Sequence, residues 1–234
     1  MTSGLSGGFL LDLINVFHIA RKDLQLEFRK KYEVFSMITF AFISVLVSSF
    51  SLGPFSPYAN EILPALIWII FLFAGMLGFY TAFAREMEQG TINGLRVLPT
   101  SSQVILLGKI VYGFILMSIV EIVVVPLSTI LFNYSFNSNP LFVVLVFALG
   151  TLDFAIVGAT VSGMAMYTES RTIMIPLLTF PLVLPVIIPC VALTKKLVYG
   201  LTFSLSLPEL RIIVLSLIAL LVTTTMMFEY IFSD

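Results

Sequence analysis

Six long apolar runs decide the class of this chain: residues 34–52, 62–84, 103–132, 141–167, 172–194 and 210–232. The hydrocarbon core of a bilayer is about 30 Å thick, so a helix needs roughly 20 mostly apolar residues to cross it. A transmembrane barrel would instead show stretches of about ten residues alternating apolar and polar. These runs are continuous and longer, so the expected fold class is an all-α polytopic membrane protein. Composition agrees, with 59% hydrophobic residues, 11% charged residues and a mean hydropathy of +1.09, too apolar for an ordinary soluble domain. The runs and their short loops take up residues 1–234 as a single membrane domain, with no stretch left for a soluble catalytic one. Met1 to Gly8 carry no basic residue, so the N-terminus is not expected to be a cleavable signal. A net charge of −1 gives no reason to expect nucleic acid, and the single Cys190 excludes an internal disulfide and a multi-cysteine metal site.

The basic residues set an orientation. If the N-terminus is cytoplasmic, the inside receives Arg21, Lys22, Arg29, Lys30, Lys31, Arg85, Arg96, Lys109 and Arg171, and the outside only Lys195, Lys196 and Arg211. Nine against three fits the positive-inside rule and places both termini in the cytoplasm. Residues 12–32, ahead of the first run, differ in kind. Leu13, Phe17, Ala20, Leu24 and Phe28 recur at helical spacing while most charges lie elsewhere, as in an amphipathic helix lying in the membrane interface.

Charge is scarce in this chain, yet residues 85–99 concentrate it. Between the second and third runs, this stretch holds Arg85, Arg96, Glu86, Glu88, Gly90 and Gly94, with Thr91 among them. A short polar stretch between two spans, on the cytoplasmic side, reads as a docking surface.

Other polar or helix-breaking residues fall at membrane depth. Glu121 and Asp153 are costly there, so each is expected to face a cavity or a partner. A place in a substrate path and a structural hydrogen bond to a neighbouring helix are both open. Ala155, Ala159 and Gly163, and likewise Ala74, Gly78 and Ala82, form small-residue stripes suited to close helix packing. The fifth run carries Pro176, Pro181, Pro185 and Pro189, each of which removes an intrahelical hydrogen bond, so a kinked or broken span serving as a hinge is expected. His18 reads as a headgroup-level residue rather than a haem ligand, and Cys190 as a small buried apolar residue.

Leu5-Ser6-Gly7-Gly8 spells the start of the signature motif of ABC ATPases, but no Gly-x-x-x-x-Gly-Lys-Ser/Thr loop accompanies it, and Gly108-Lys109 runs on into Ile110. The chain cannot cradle a nucleotide by itself.

Taken together, certain residues are characteristic. They are Lys22-Asp23-Leu24 and Glu27-Phe28-Arg29, then Arg85-Glu86-x-Glu88-x-Gly90-Thr91-x-x-Gly94-Leu95 with Leu98-Pro99. Further on come Leu107-Gly108-Lys109, Leu149-Gly150-Thr151 and Pro181-Leu-x-x-Pro185. This pattern resembles the CcmB family, the permease subunits of the haem-exporter ABC transporter of cytochrome c maturation, over nearly the whole chain. The resemblance implies a type II ABC exporter permease fold and a non-catalytic subunit. It further implies a homodimer paired with a CcmA-like cytoplasmic ATPase that binds the ATP, and CcmC-, CcmD- and CcmE-like haem-handling partners, with haem as candidate cargo. It makes residues 85–99 the coupling helix. The chain departs from many relatives in having Tyr80-Thr81 where they carry an acidic-basic pair. It has only one tryptophan, Trp68, and lacks the tryptophan-rich haem-binding motif of the pathway's partner protein. Two other readings are a permease for another hydrophobic cargo, such as a lipid or drug, and an ion-coupled secondary carrier using Glu121 and Asp153. Such carriers often show paired broken helices, and here only one run is proline-broken.

Overall fold

A computed structural model describes residues 3–53, 58–78, 86, 90, 94, 100–133, 135–165, 168 and 170–233, with side chains of 3–10, 30, 59, 171–172 and 231–233 outside that description. The described residues form seven helices and no strand: α1 Ser3–Lys30, α2 Tyr32–Leu52, α3 Ala59–Leu77, α4 Ser102–Leu131, α5 Pro140–Ala165, α6 Arg171–Val198 and α7 Phe203–Ser233. The last six are long and apolar enough to cross a membrane. The protein is thus an all-α, multi-pass membrane protein. Within hydrocarbon, only a helix or a closed barrel satisfies every backbone polar group, and the unbroken apolar runs select the helix.

Successive spans reverse direction, so their ends gather at two poles, and the polar contacts sort accordingly. At one pole Lys195 and Tyr199 bond Glu61, Lys196 bonds Glu209, and Asn137 and Ser138 donate to the Val198 and Leu197 carbonyls. At the other, Gln103 donates to Glu229 across α4 and α7 at 2.6 Å, near the ionic cluster described below.

Between the poles the core is apolar and centres on α5, the most enclosed span; α2 and α7 are the least. Trp68 of α3 stacks on Phe147 and Phe154 of α5, with ring centroids 5.4 and 5.8 Å away, and its indole N–H donates to Thr194 of α6 at 2.9 Å. Gly150 lies between those two phenylalanines on the same helix face and leaves room for the indole. A Cβ there would sit 2.7 Å from Trp68 Cζ3 and 3.1 Å from Cys190 Sγ. The small-residue stripes do pack closely. Gly163 lies under Phe228 of α7, Ala155 and Ala159 are buried, and Gly78 lies against Met37 of α2. Ala82 lies outside the described residues. Cys190 is fully buried, as its apolar reading requires.

Of the two forms expected for the fifth span, kinked or broken, the break is excluded: α6 runs continuously from Arg171 to Val198 through all four prolines. Proline's fixed φ is itself helical, and an apolar segment has no better backbone arrangement in lipid than a helix. Pro181 and Pro185 lie on the exposed side of α6, and Pro189 is buried.

The N-terminal helix is set apart by a turn at Lys31, whose φ of 59° is left-handed. Val16 and Ile19 of α1 meet Gly108 of α4, Asp23 meets Lys109, and Glu27 meets Tyr112. Through residues 16–27, α1 thus packs on the first turns of α4.

Candidate functional site

Lys109 begins as an anomaly: a lysine two turns into an apolar helix, with its side chain 2% exposed. A charge so placed needs partners, and two elements supply them. Its Nζ lies 2.8 Å from Asp23 Oδ2 of α1 and 2.8 Å from Glu86 Oε1 of the polar stretch. Lys22 donates to the same Glu86 oxygen at 2.9 Å and lies 3.3 Å from Asp23 Oδ1. One turn further on, the Tyr112 hydroxyl donates to Glu27 Oε2 at 3.0 Å, where Glu27 is buried. Two lysines and two carboxylates thus alternate around a single site, with a tyrosine–glutamate bond beside it.

Local helix geometry explains how the cluster forms. Asp23 and Glu27 are four residues apart on α1 and share a face, as do Val16, Ile19 and Ala20. Gly108 has no side chain, so α1 can lie directly on α4, and this close approach brings Asp23 within reach of the next residue, Lys109. Burial alone would lower the Lys22 ammonium, but the Asp23 and Glu86 carboxylates outweigh it and hold the group above its ordinary 10.5. Because the folded value is raised, the Lys22 ammonium's contribution is present below its ordinary 10.5, as long as the carboxylates stay ionised, and is lost as pH rises through the folded value. The cluster is therefore charged throughout the physiological range on the Lys22 side.

The cluster ties three separate pieces of chain together: the N-terminal helix α1, the first described residue of the polar stretch, and the start of α4. Charge-assisted bonds of this length in a buried setting are strong and directional. Displacing Glu86 would thus pull on α1 and α4 together.

The sequence-predicted residues fall out as follows. Glu86 is buried and accepts hydrogen bonds from Lys109 and Lys22. Gly90 and Gly94 are exposed, and the backbone turns at Gly90 with φ of 67°, a conformation that favours glycine. Arg85, Glu88, Thr91 and Arg96 lie outside the described residues, as do Tyr80 and Thr81. Glu121 and Asp153 are not brought together. Thr151 donates to Glu121 Oε2 at 2.6 Å, and Ser216 of α7 donates to Asp153 Oδ2 at 3.0 Å. Thr151 and Asp153 are two positions apart on α5, about 200° around the helix, so the two carboxylates meet opposite flanks of that span. Among the described residues Asp153 Oδ1 has no hydrogen-bond partner, and no group of three His, Cys, Asp or Glu residues could hold a metal. His18 is exposed on α1.

Sequence reasoning counted Lys109 as a loop charge and missed its partnership with Asp23, Glu27 and Tyr112. Two signals were present: a lone cation inside an apolar run, and two acids four residues apart on an otherwise basic helix.

Comparison with known proteins matches residues 14–230 to the family model described as CcmB protein. The chain belongs to the CcmB family. Its relatives include heme exporter protein B of Haemophilus influenzae, 24% identical over 73% of this chain and 76% of the relative. The Pseudomonas aeruginosa protein of the same name is 24% identical over 74% and 78%. That of Rhodobacter capsulatus is 23% identical over 85% and 91%. Every residue of the ionic cluster falls within the stretch matched to the CcmB family. So do Gly108 and Gly150, where α4 meets α1 and α5 meets α3 closely.

Proposed function

We propose that this CcmB family member is the permease subunit of an ATP-driven haem exporter serving cytochrome c maturation. It acts as a homodimer with two copies of a separate ATPase. Residues 85–99 dock that ATPase on the cytoplasmic side, and both termini of the chain lie on that side of the plasma membrane. ATP-driven closure of the ATPase pair moves the stretch. The spans respond, and the cycle ends in haem export or release of a haem-loaded chaperone. Glu121 and Asp153 belong to the translocation path in this reading, and the four prolines give α6 the compliance of a hinge. CcmC-, CcmD- and CcmE-like proteins are the accompanying partners.

The observation that carries this reading is the buried bond from Glu86 to both Lys109 and Lys22. Coupling needs a rigid connection between a surface element and the spans, and Glu86 stands where the polar stretch begins. The names of the relatives support haem as the cargo, and the missing phosphate-binding loop requires energy from another subunit.

The test is co-purification of the tagged chain with the ATPase encoded beside it. Glu88→Lys combined with Arg96→Glu is expected to reduce recovered ATPase at least tenfold while leaving the permease monodisperse. Undiminished recovery would overturn docking through this stretch. Separately, deleting the gene is expected to abolish c-type cytochromes, and normal haem staining of them would overturn the cargo.

A further inference from the structure

The face of α1 turned away from the bundle carries a second arrangement that the ATPase reading does not use. Along residues 21–29 the sequence is nearly charge-balanced, with Arg21, Lys22 and Arg29 against Asp23 and Glu27. Folding sorts these charges by side. Asp23 and Glu27 are buried against α4, and Lys22 is engaged by Asp23 and Glu86. Arg21, Gln25 and Arg29 are exposed, and among the described residues neither arginine has an acidic partner. What remains outside is purely cationic.

Beside that cationic strip lies an apolar one. Phe17 and Phe28 are large and exposed, and Leu24 is half-buried next to them. These belong to the periodic apolar stripe of Leu13, Phe17, Ala20, Leu24 and Phe28 that the sequence suggested as the face of a helix lying in the membrane interface. The bundle takes Ala20 together with the neighbouring Val16, Ile19, Asp23 and Glu27 and leaves Leu13, Phe17 and Phe28 open. Basic and apolar side chains together line a groove of about 530 Å³, in which Arg21, Lys22, Gln25 and Arg29 stand with Leu24, Leu26 and Phe28. The two guanidinium-bearing residues are two helical turns apart, about 12 Å along the axis, with Gln25 midway.

We infer that this groove binds an acidic phospholipid, its phosphodiester held between Arg21 and Arg29 and its acyl chains lying against Leu24 and Phe28. The chemistry of the groove selects the ligand. Guanidinium groups match phosphate oxygens bidentately, and an amphipathic helix with a basic face at the bilayer boundary is drawn to anionic headgroups. An acidic protein segment would meet the arginines but gain little from the open aromatic flank. The position agrees, because the chain turns at Lys31 directly into the first span at Tyr32. The site does not depend on residues 85–99 docking an ATPase.

Native mass spectrometry of the full-length protein tests this, after release from nanodiscs of equal parts phosphatidylglycerol and phosphatidylcholine with identical acyl chains. The wild type is expected to retain phosphatidylglycerol preferentially. Each basic side chain near an anionic surface is worth about fivefold, so Arg21→Gln with Arg29→Gln is expected to lower that preference by more than tenfold. Arg21→Lys with Arg29→Lys is expected to keep most of it. Both arginines are exposed, so elution and melting of these variants should match the wild type. Equal retention of the two lipids by the wild type would overturn the proposal, as would an undiminished preference in the double glutamine variant. Displacement of the lipid by millimolar inorganic phosphate would also overturn it, pointing to a small-anion site.

Discussion

Replacing Lys109 with methionine is expected to be among the most damaging single changes to this protein. The substitution keeps the length and apolar character of the stem and removes only the charge. Asp23 and Glu86 then remain buried between α1 and α4 and keep, among the described residues, the half-exposed Lys22 beside them. Removing one partner from a buried ionic group costs about 3–5 kcal/mol, because the partners left behind lose their counter-charge but not their burial. Chemical denaturation in detergent should show that loss. A triple variant, Lys109→Met with Asp23→Asn and Glu86→Gln, removes the three buried charges, leaves Lys22 with its 46% exposed side chain to be solvated by water, and is expected to recover most of the stability, since an uncharged network of similar volume is often nearly neutral. The two roles of the cluster then separate. If it only holds α1 in place, the triple variant should again support c-type cytochrome formation. If it transmits force from residues 85–99, stability returns while cytochrome formation stays impaired. Wild-type stability in the single variant would contradict the burial of this cluster.

The second large effect is expected at Gly150. In a helix interior, alanine normally gains about 1 kcal/mol over glycine. Here the added methyl would overlap the Trp68 ring. That ring cannot move aside easily, because it is stacked between Phe147 and Phe154 and tethered through its N–H to Thr194. Overpacking of a rigid core costs about 1–3 kcal/mol, which outweighs the propensity gain for alanine. Gly150→Leu should exceed it and reduce folded protein in the membrane sharply. Combining Gly150→Ala with Trp68→Leu restores the space, so the pair is expected to be more stable than the sum of the two single changes predicts. Strict additivity in that double-mutant cycle would rule out the direct contact.

Several features of the site could be read before any coordinates. Gly108-Lys109, Glu86 and Lys22-Asp23 all stood within the motifs that carried the family resemblance, yet their chemistry could not be assembled from spacing. Residues 23, 86 and 109 meet only because α1 packs on α4, a contact that no helical period encodes. The proline-rich span shows the reverse problem. Local rules favour a break at four prolines, and the environment of an apolar segment favours a continuous helix; α6 follows the environment. Glu121 and Asp153, two acids at similar depth, looked like members of one path. The helical phase of Thr151 and Asp153 turns them toward different neighbours.

The amino-acid sequence was sufficient for the solvent and the fold class: runs this long and apolar leave a chain no stable alternative to spanning a bilayer as helices. It was not sufficient for the direction in which each polar side chain points. On α1, periodicity singled out the stripe of Leu13, Phe17, Ala20, Leu24 and Phe28; the bundle buries Ala20 and packs chiefly on the flanking residues Ile19, Asp23 and Glu27, which periodicity did not single out. The reason is electrostatic. Lys109, committed to a buried position by its place in α4, requires carboxylates, and only the face bearing Asp23 and Glu27 supplies them. Tertiary packing thus sent the acids of α1 inward, left its arginines outward, and connected the polar stretch at Glu86 to the spans.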